Sequence, residues 1–195
     1  VRLCIADPPY PPQVSERHDG LAPRLITRSR SRRWYGDGPR DRGSAGPADF
    51  HPDAGEWDAL ERHRALLEQL HADFDGWAIA TTPDGLDAYR PLPVPAQVLV
   101  WVKPNATPTA RAIASTWEAV IVCPPIGRRA RRPGEPPVPD VLVAASPRRS
   151  FAGAKPPEWT RWVLAALDYR PGEDELVDLF PGSGAVAAAA DGMLI

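Results

Sequence analysis

The hydrophobic positions of this chain fall into short solid runs and one long stripe. Residues 1–6 (VRLCIA) are an apolar run halted by Pro8 and Pro9, which predicts a buried strand ending in a rigid turn, since proline donates nothing to a ladder. Between Trp57 and Phe74, the apolar residues Trp57, Leu60, Leu66, Leu67, Leu70 and Phe74 recur at three- and four-residue steps. Glu61, Arg62, Arg64, Glu68 and Gln69 fill the other side, so an amphipathic helix lying on a sheet is predicted. Buried strands follow at 77–82 (WAIATT), 97–103 (QVLVWVK) and 117–123 (WEAVIVC). Pro156-Pro157-Glu158 predicts a helix start, with Trp159, Trp162, Val163, Ala166 and Leu167 along one face. A last strand is predicted at 175–180 (ELVDLF), then a glycine turn and a small-residue helix at 185–190. Strands alternating with helices imply an α/β domain on a mostly parallel sheet. Residues 11–55 and 124–150 keep no sustained period, apart from a short apolar run at 141–145, and are predicted as long Arg- and Pro-rich loops.

Composition narrows this picture. A chain of 195 residues that is 43% hydrophobic suits a single domain over residues 1–195, not two. Its 25 prolines and 15 glycines add turns, while seven tryptophans and regular apolar runs argue against general disorder. Cys4 and Cys123 sit inside predicted strands and are expected as reduced core residues. No apolar run approaches the roughly 20 residues that span a bilayer, and the chain starts on a strand rather than a leader, so a cytoplasmic protein without a membrane partner is expected. His18, His51, His63 and His71 lack ligand-like spacing, so they are expected on the surface or on helices and no metal site is expected. The net charge of −2 conceals clusters. Arg24, Arg28, Arg30, Arg32 and Arg33 precede Trp34-Tyr35, Arg128, Arg129, Arg131 and Arg132 form a second group, and Arg148-Arg149 a third. Acidic residues concentrate at 53–75 and 173–178, so a local basic face for nucleic acid is compatible with the acidic total. Solvated loops in an Arg-biased sequence would give the same pattern.

Two motifs carry chemistry. Asp7-Pro8-Pro9-Tyr10 stands at the carboxyl end of a predicted strand, where open α/β sheets place ligand-handling residues. The Asp7 carboxylate and the Pro8 carbonyl, fixed in direction by the next proline, are two acceptors suited to the two hydrogens of an NH₂ group. Pulling on both would keep the nitrogen lone pair out of ring conjugation and make it nucleophilic, while Tyr10 could stack on the base. A strand-ending DPP turn is the plainer alternative. Asp178-Leu179-Phe180-Pro181-Gly182-Ser183-Gly184 is a strand, glycine turn and helix start, able to bring backbone N–H groups close to an anionic part of a ligand or to serve as an ordinary turn.

Together the two motifs resemble those of the S-adenosylmethionine-dependent DNA amino-methyltransferases of the N6-adenine and N4-cytosine type. DPPY looks like that family's catalytic motif and DLFPGSG like its cofactor loop; their order here is that of the circularly permuted β group. Lys155-Pro156 is similar to the family's Lys-Pro segment before the loop. Trp101-Val102-Lys103-Pro104 with Trp117-Glu118 is similar to a W-x-K strand and a later Glu-containing strand of adenine-methylating members. The resemblance implies a Rossmann-like, mostly parallel sheet with helices on both faces and S-adenosylmethionine as cofactor. It also implies a flipped DNA base with adenine N6 as the acceptor. By the same resemblance Asp7, Pro8, Pro9 and Tyr10 are catalytic. Asp178, Phe180, Pro181, Gly182, Ser183, Gly184 and Lys155 bind the cofactor. Extruding a base needs phosphate contacts, for which Arg28, Arg30, Arg32, Arg33, Arg128, Arg129, Arg131 and Arg132 are the candidates.

The chain departs from the family after the glycine loop. It runs eleven residues beyond Gly184, and the acidic residue that binds the cofactor's ribose has no counterpart; Asp191 precedes the next apolar run. The expectation is a short C-terminal part, with a second copy or a partner subunit completing the pocket as one outcome. Two functions from different classes therefore stand: an N6-adenine methyltransferase, with N4-cytosine as the alternative target, and a non-catalytic methyltransferase-fold subunit that binds nucleic acid or supports an active partner.

Overall fold

Runs such as LCIA and GWAIAT are apolar at every position, and a strand of that kind must be covered on both faces. The structure, a computed structural model, describes residues 1–17, 24–28, 53–106, 113–130, 133–147, 154–182 and 184–192, with the backbone alone for 13–17 and 24–28. Its strands are β1 (Arg2–Ala6), β2 (Gln13–Arg17), β3 (Arg24–Arg28), β4 (Gly76–Thr81), β5 (Gln97–Val102), β6 (Trp117–Cys123), β7 (Val141–Val143) and β8 (Glu175–Asp178). The helices are α1 (Leu60–Asp73), α2 (Pro157–Ala166) and α3 (Ala185–Asp191). Six strands form one sheet in the order β7-β5-β6-β4-β1-β8. β1 runs parallel to β4 and β8, and β5 parallel to β7; β6 alone is reversed, antiparallel to β4 and β5.

Side chains alternate across this sheet and divide the core in two. Leu3, Ile5, Ala78, Ala80, Val120 and Val122 face α2 and Val186 of α3. Cys4, Ala6, Trp77, Ile79, Ile121 and Cys123 face α1 through Leu66, Leu67 and Leu70. Helices thus cover both faces, and both cysteines are free and buried, as expected. Among the described residues no helix is long and apolar enough to cross a membrane.

Three segments differ from the expectations. The loop predicted over 11–55 contains the antiparallel hairpin β2–β3, paired from Gln13 with Arg28 to Arg17 with Arg24, and ends in a short 3-10 helix at Ala54–Asp58. Strands of five residues that mix Val and Ile with charged neighbours are too short to show a period. Another 3-10 helix, Pro83–Tyr89, follows β4. The apolar run at 141–145 became a three-residue edge strand, so the 124–150 segment is not a plain loop.

Candidate functional site

The crossover out of β1 passes through α1 on one face, while β8 leads into α3, which packs with α2 on the other. Between adjacent strands, such a divergence marks the carboxyl end at which open α/β sheets bind ligands. Asp7–Tyr10 leaves β1 here and Asp178–Gly184 leaves β8 beside it. The reversed direction of β6 brings its first residues, Trp117 and Glu118, to this same end, where the Lys103 backbone N–H donates to Thr116 O at 2.7 Å. Lys155 reaches in from the segment just before α2.

These side chains form one chain of contacts. The Lys155 ammonium donates to both oxygens of Asp7, at 2.9 and 2.7 Å, and to the Tyr10 hydroxyl at 2.8 Å. Tyr10 donates to Glu118 Oε2 at 2.7 Å, and Lys103 donates to Glu118 Oε1 at 2.7 Å. Lys155 also lies 3.6 Å from Glu118 Oε2. Its Nζ stands 5.3, 6.0 and 5.6 Å from the ring centroids of Tyr10, Trp101 and Trp159, an aromatic surround that favours a cation. The Trp101 indole N–H is anchored separately, to Ala144 O at 2.9 Å.

Burial and charge set the protonation of this group. Burial pulls Lys155 down, but Asp7 and Glu118 outweigh it and hold the ammonium above the ordinary lysine range. Burial pushes Glu118 up, but Lys155 and Lys103 more than reverse that, so its carboxyl lies below the ordinary range. Asp7 is raised, because burial outweighs the pull of Lys155 and Glu118 adds to the rise. Each of the two carboxyl groups is thus hydrogen-bonded to a lysine ammonium, Asp7 to Lys155 and Glu118 to Lys103.

No family model and no curated protein matches this chain. The geometry of the site must then be judged on its own residues.

At the end of β8, Asp178 accepts the Phe180 N–H at 3.1 Å, and among the described residues no lysine or arginine pairs with its carboxylate. Burial and the charge of Asp7 raise it. Gly182 and Gly184 have φ of +44° and +74°, a conformation costly for residues with a Cβ, which is why glycine serves in this turn. Phe180 packs edge-on against Trp57, ring centroids 5.2 Å apart.

Behind that contact is a residue the sequence did not single out. His63 was expected on the surface or on a helix; it is on α1, but fully buried. Its Nε2 lies 2.9 Å from Trp57 O, so it carries the proton, and Nδ1 accepts from the Tyr89 hydroxyl at 2.8 Å. Burial lowers its pKa and, together with Asp7, pushes the Tyr89 hydroxyl well up, so both are neutral. Its position was readable: His63 precedes Leu66 and Leu67 by three and four residues and continues their buried stripe.

The structure brings together Asp7, Tyr10 and Lys155, with Pro8 and Pro9 buried beside them, and places Asp178, Phe180, Pro181, Gly182 and Gly184 on the neighbouring strand end. Lys155, expected at the cofactor, contacts Asp7 and Tyr10. Ser183, Arg30, Arg32, Arg33, Arg131 and Arg132 lie outside the described residues, as does the Arg28 side chain. Arg128 and Arg129 are not brought to the site. Because β6 is reversed, its exit carries them to the opposite end of the sheet, where Arg128 grips Asp174 at 2.5 and 2.8 Å and Asp168 O at 2.8 Å. Only 9% of the Arg128 side chain is exposed, so its expected role as a phosphate contact is corrected to that of a structural anchor. Arg129 is exposed and donates to Pro124 O at 3.3 Å. Glu118 and Lys103, noted in the sequence only as part of a resemblance, are integral to the network.

Proposed function

We propose that this chain transfers a methyl group from S-adenosylmethionine to the exocyclic amine of a DNA base, with adenine N6 as the target. The observation that carries the reading is Asp7 at the carboxyl end of β1, one strand away from the glycine turn that follows β8. Asp7 and the Pro8 carbonyl accept the two amine hydrogens, drawing the nitrogen toward tetrahedral geometry, and Tyr10 offers its ring to the base, a stack worth about 1–3 kcal/mol. Holding the amine in line for displacement supplies several further kcal/mol.

The residues at the end of β8 fit the cofactor. Asp178 suits its ammonium, Gly182 and Gly184 let backbone approach its methionine part, and Phe180 offers a ring edge. Among the described residues, a Cβ at Gly184 would meet nothing within 4 Å. When bound, the cofactor supplies a methyl group activated on a sulfonium.

The test is tritiated methyl transfer from S-adenosylmethionine to unmethylated DNA, wild type beside Asp7→Ala, with product nucleosides separated. The expected result is N6-methyladenine from the wild type and a loss of about 100-fold or more in the variant. N4-methylcytosine would move the target to cytosine. One observation favours the second reading, a non-catalytic subunit: Lys155 already donates to both oxygens of Asp7. Cofactor binding by calorimetry without transfer to DNA would establish it.

A further inference from the structure

We infer that Lys155 is a movable stand-in for the substrate amine, and that Glu118 is the positioning residue that takes over its ammonium when the amine arrives. The inference rests on the amine-methylation reading above. Lys155 donates to both Asp7 oxygens, and an incoming NH₂ group needs one of them, the Pro8 carbonyl taking its other hydrogen. The amine therefore competes with the ammonium for Asp7, and it gains the full strength of that acceptor when the ammonium gives way. A buried cation cannot simply be released, because without a carboxylate it loses the interaction that offsets its lost hydration.

The site holds a second carboxylate for this purpose. Glu118 Oε2 is 3.6 Å from Lys155 Nζ, so a shift of about 1 Å gives a full hydrogen bond. Lys103 already holds the other oxygen, Oε1, which fixes the carboxylate and leaves Oε2 turned toward Tyr10 and Lys155. The Tyr10, Trp101 and Trp159 rings surround the ammonium. Displacement from Asp7 to Glu118 therefore needs no passage through an uncharged, apolar stretch. Glu118 can hold this place only because β6 runs opposite to its neighbours.

Charge balance then names the class of amine. With both carboxyl groups of this hydrogen-bonded network ionised, Asp7, Glu118, Lys103 and Lys155 sum to zero. A weakly basic arylamine, uncharged at neutral pH, can replace Lys155 on Asp7 without changing that sum. A protonated alkylamine such as a lysine side chain would add a third cation. The clamp thus selects nucleobase-type amines over protein amines.

The test is a double-mutant cycle on amine recognition. Affinities for an oligo(dA) strand and for the same strand carrying purine, which lacks the amine, are measured by fluorescence anisotropy. The proteins are the wild type, Glu118→Gln, Lys155→Met and the double variant. Glu118→Gln is expected to reduce the preference for the amine-bearing strand by about tenfold in the wild-type background and to have no effect once Lys155 is Met. Glu118→Asp, which keeps the charge with a shorter reach, gives an intermediate loss and separates the effect from misfolding. An equal loss in both backgrounds, or no preference for oligo(dA) in the wild type, overturns the clamp. Methyl transfer without dependence on Lys155 overturns the clamp alone; the expected cycle in a protein that transfers no methyl group supports the clamp and removes the methylation reading.

Discussion

Tyr10 accepts a hydrogen bond from Lys155 and donates one to Glu118, so the direction of its proton is fixed by its neighbours. Tyr10→Phe keeps the ring and removes that bridge; transfer assays should show kcat falling by about tenfold while affinity for a stacked base persists. His63 is neutral in the fold and loses its acceptor role when protonated. Burial holds its pKa below the ordinary 6.5, so the unfolded chain takes up the proton first as pH falls. Its contribution to stability is full above about pH 6.5 and declines below it. The melting temperature should drop between about pH 7.5 and about pH 5.5, and less so in His63→Gln. At this scale the sequence was uneven. The place of Asp7–Tyr10 at the end of β1 could be read from the adjacent residues, but the partner of Asp7 could not, because Lys155 is 148 residues away in the chain. His63 was overlooked because it was judged as a possible ligand rather than by its place on the α1 stripe.

Strands and helices were legible where one pattern persisted. β6 has the predicted limits, and β1, β4, β5, α1 and α2 begin and end within a few residues of those predicted, since their apolar runs leave little choice of face. The start of α1 moved from Trp57 to Leu60 because Trp57 belongs to the preceding 3-10 helix, where it supports Phe180. That shift leaves Leu60 exposed and gives its expected place to His63. Leu70, fully buried between α1 and the sheet, is the central apolar contact of this layer. Leu70→Ala should cost about 2–5 kcal/mol in denaturant unfolding, and it should do so without altering the proposed base preference, since it touches the core and not the Asp7–Lys155 network. The hairpin β2–β3 escaped because cross-strand pairing, rather than burial along one strand, defines it.

Strand order lies beyond local pattern, and the reversal of β6 is the feature no single segment announced. It moved Arg128 and Arg129 from an expected phosphate surface to the far end of the sheet. There Arg128 joins the segment after β6 to Asp174 in the turn before β8. Arg128→Met should lower stability by about 3 kcal/mol in urea unfolding and leave DNA affinity unchanged in a filter-binding assay. Burial alone would push Asp174 up, but Arg128 and the Arg170 N–H hold its carboxyl at about 2, below the ordinary 3.8. The folded state thus keeps this carboxylate charged longer than the unfolded chain does, and its stabilisation is lost as pH falls from about 4 toward about 2. The same reversal divides labour between the two rims of the sheet. The connection from β5 to β6 departs from the rim that holds Asp7 and Glu118 and returns to it, so residues can be added or exchanged there without displacing a strand. The connection from β6 to β7 begins at the anchoring rim, where change is felt as stability alone. A lineage of such chains could therefore acquire new targets on one rim while the other kept the architecture constant.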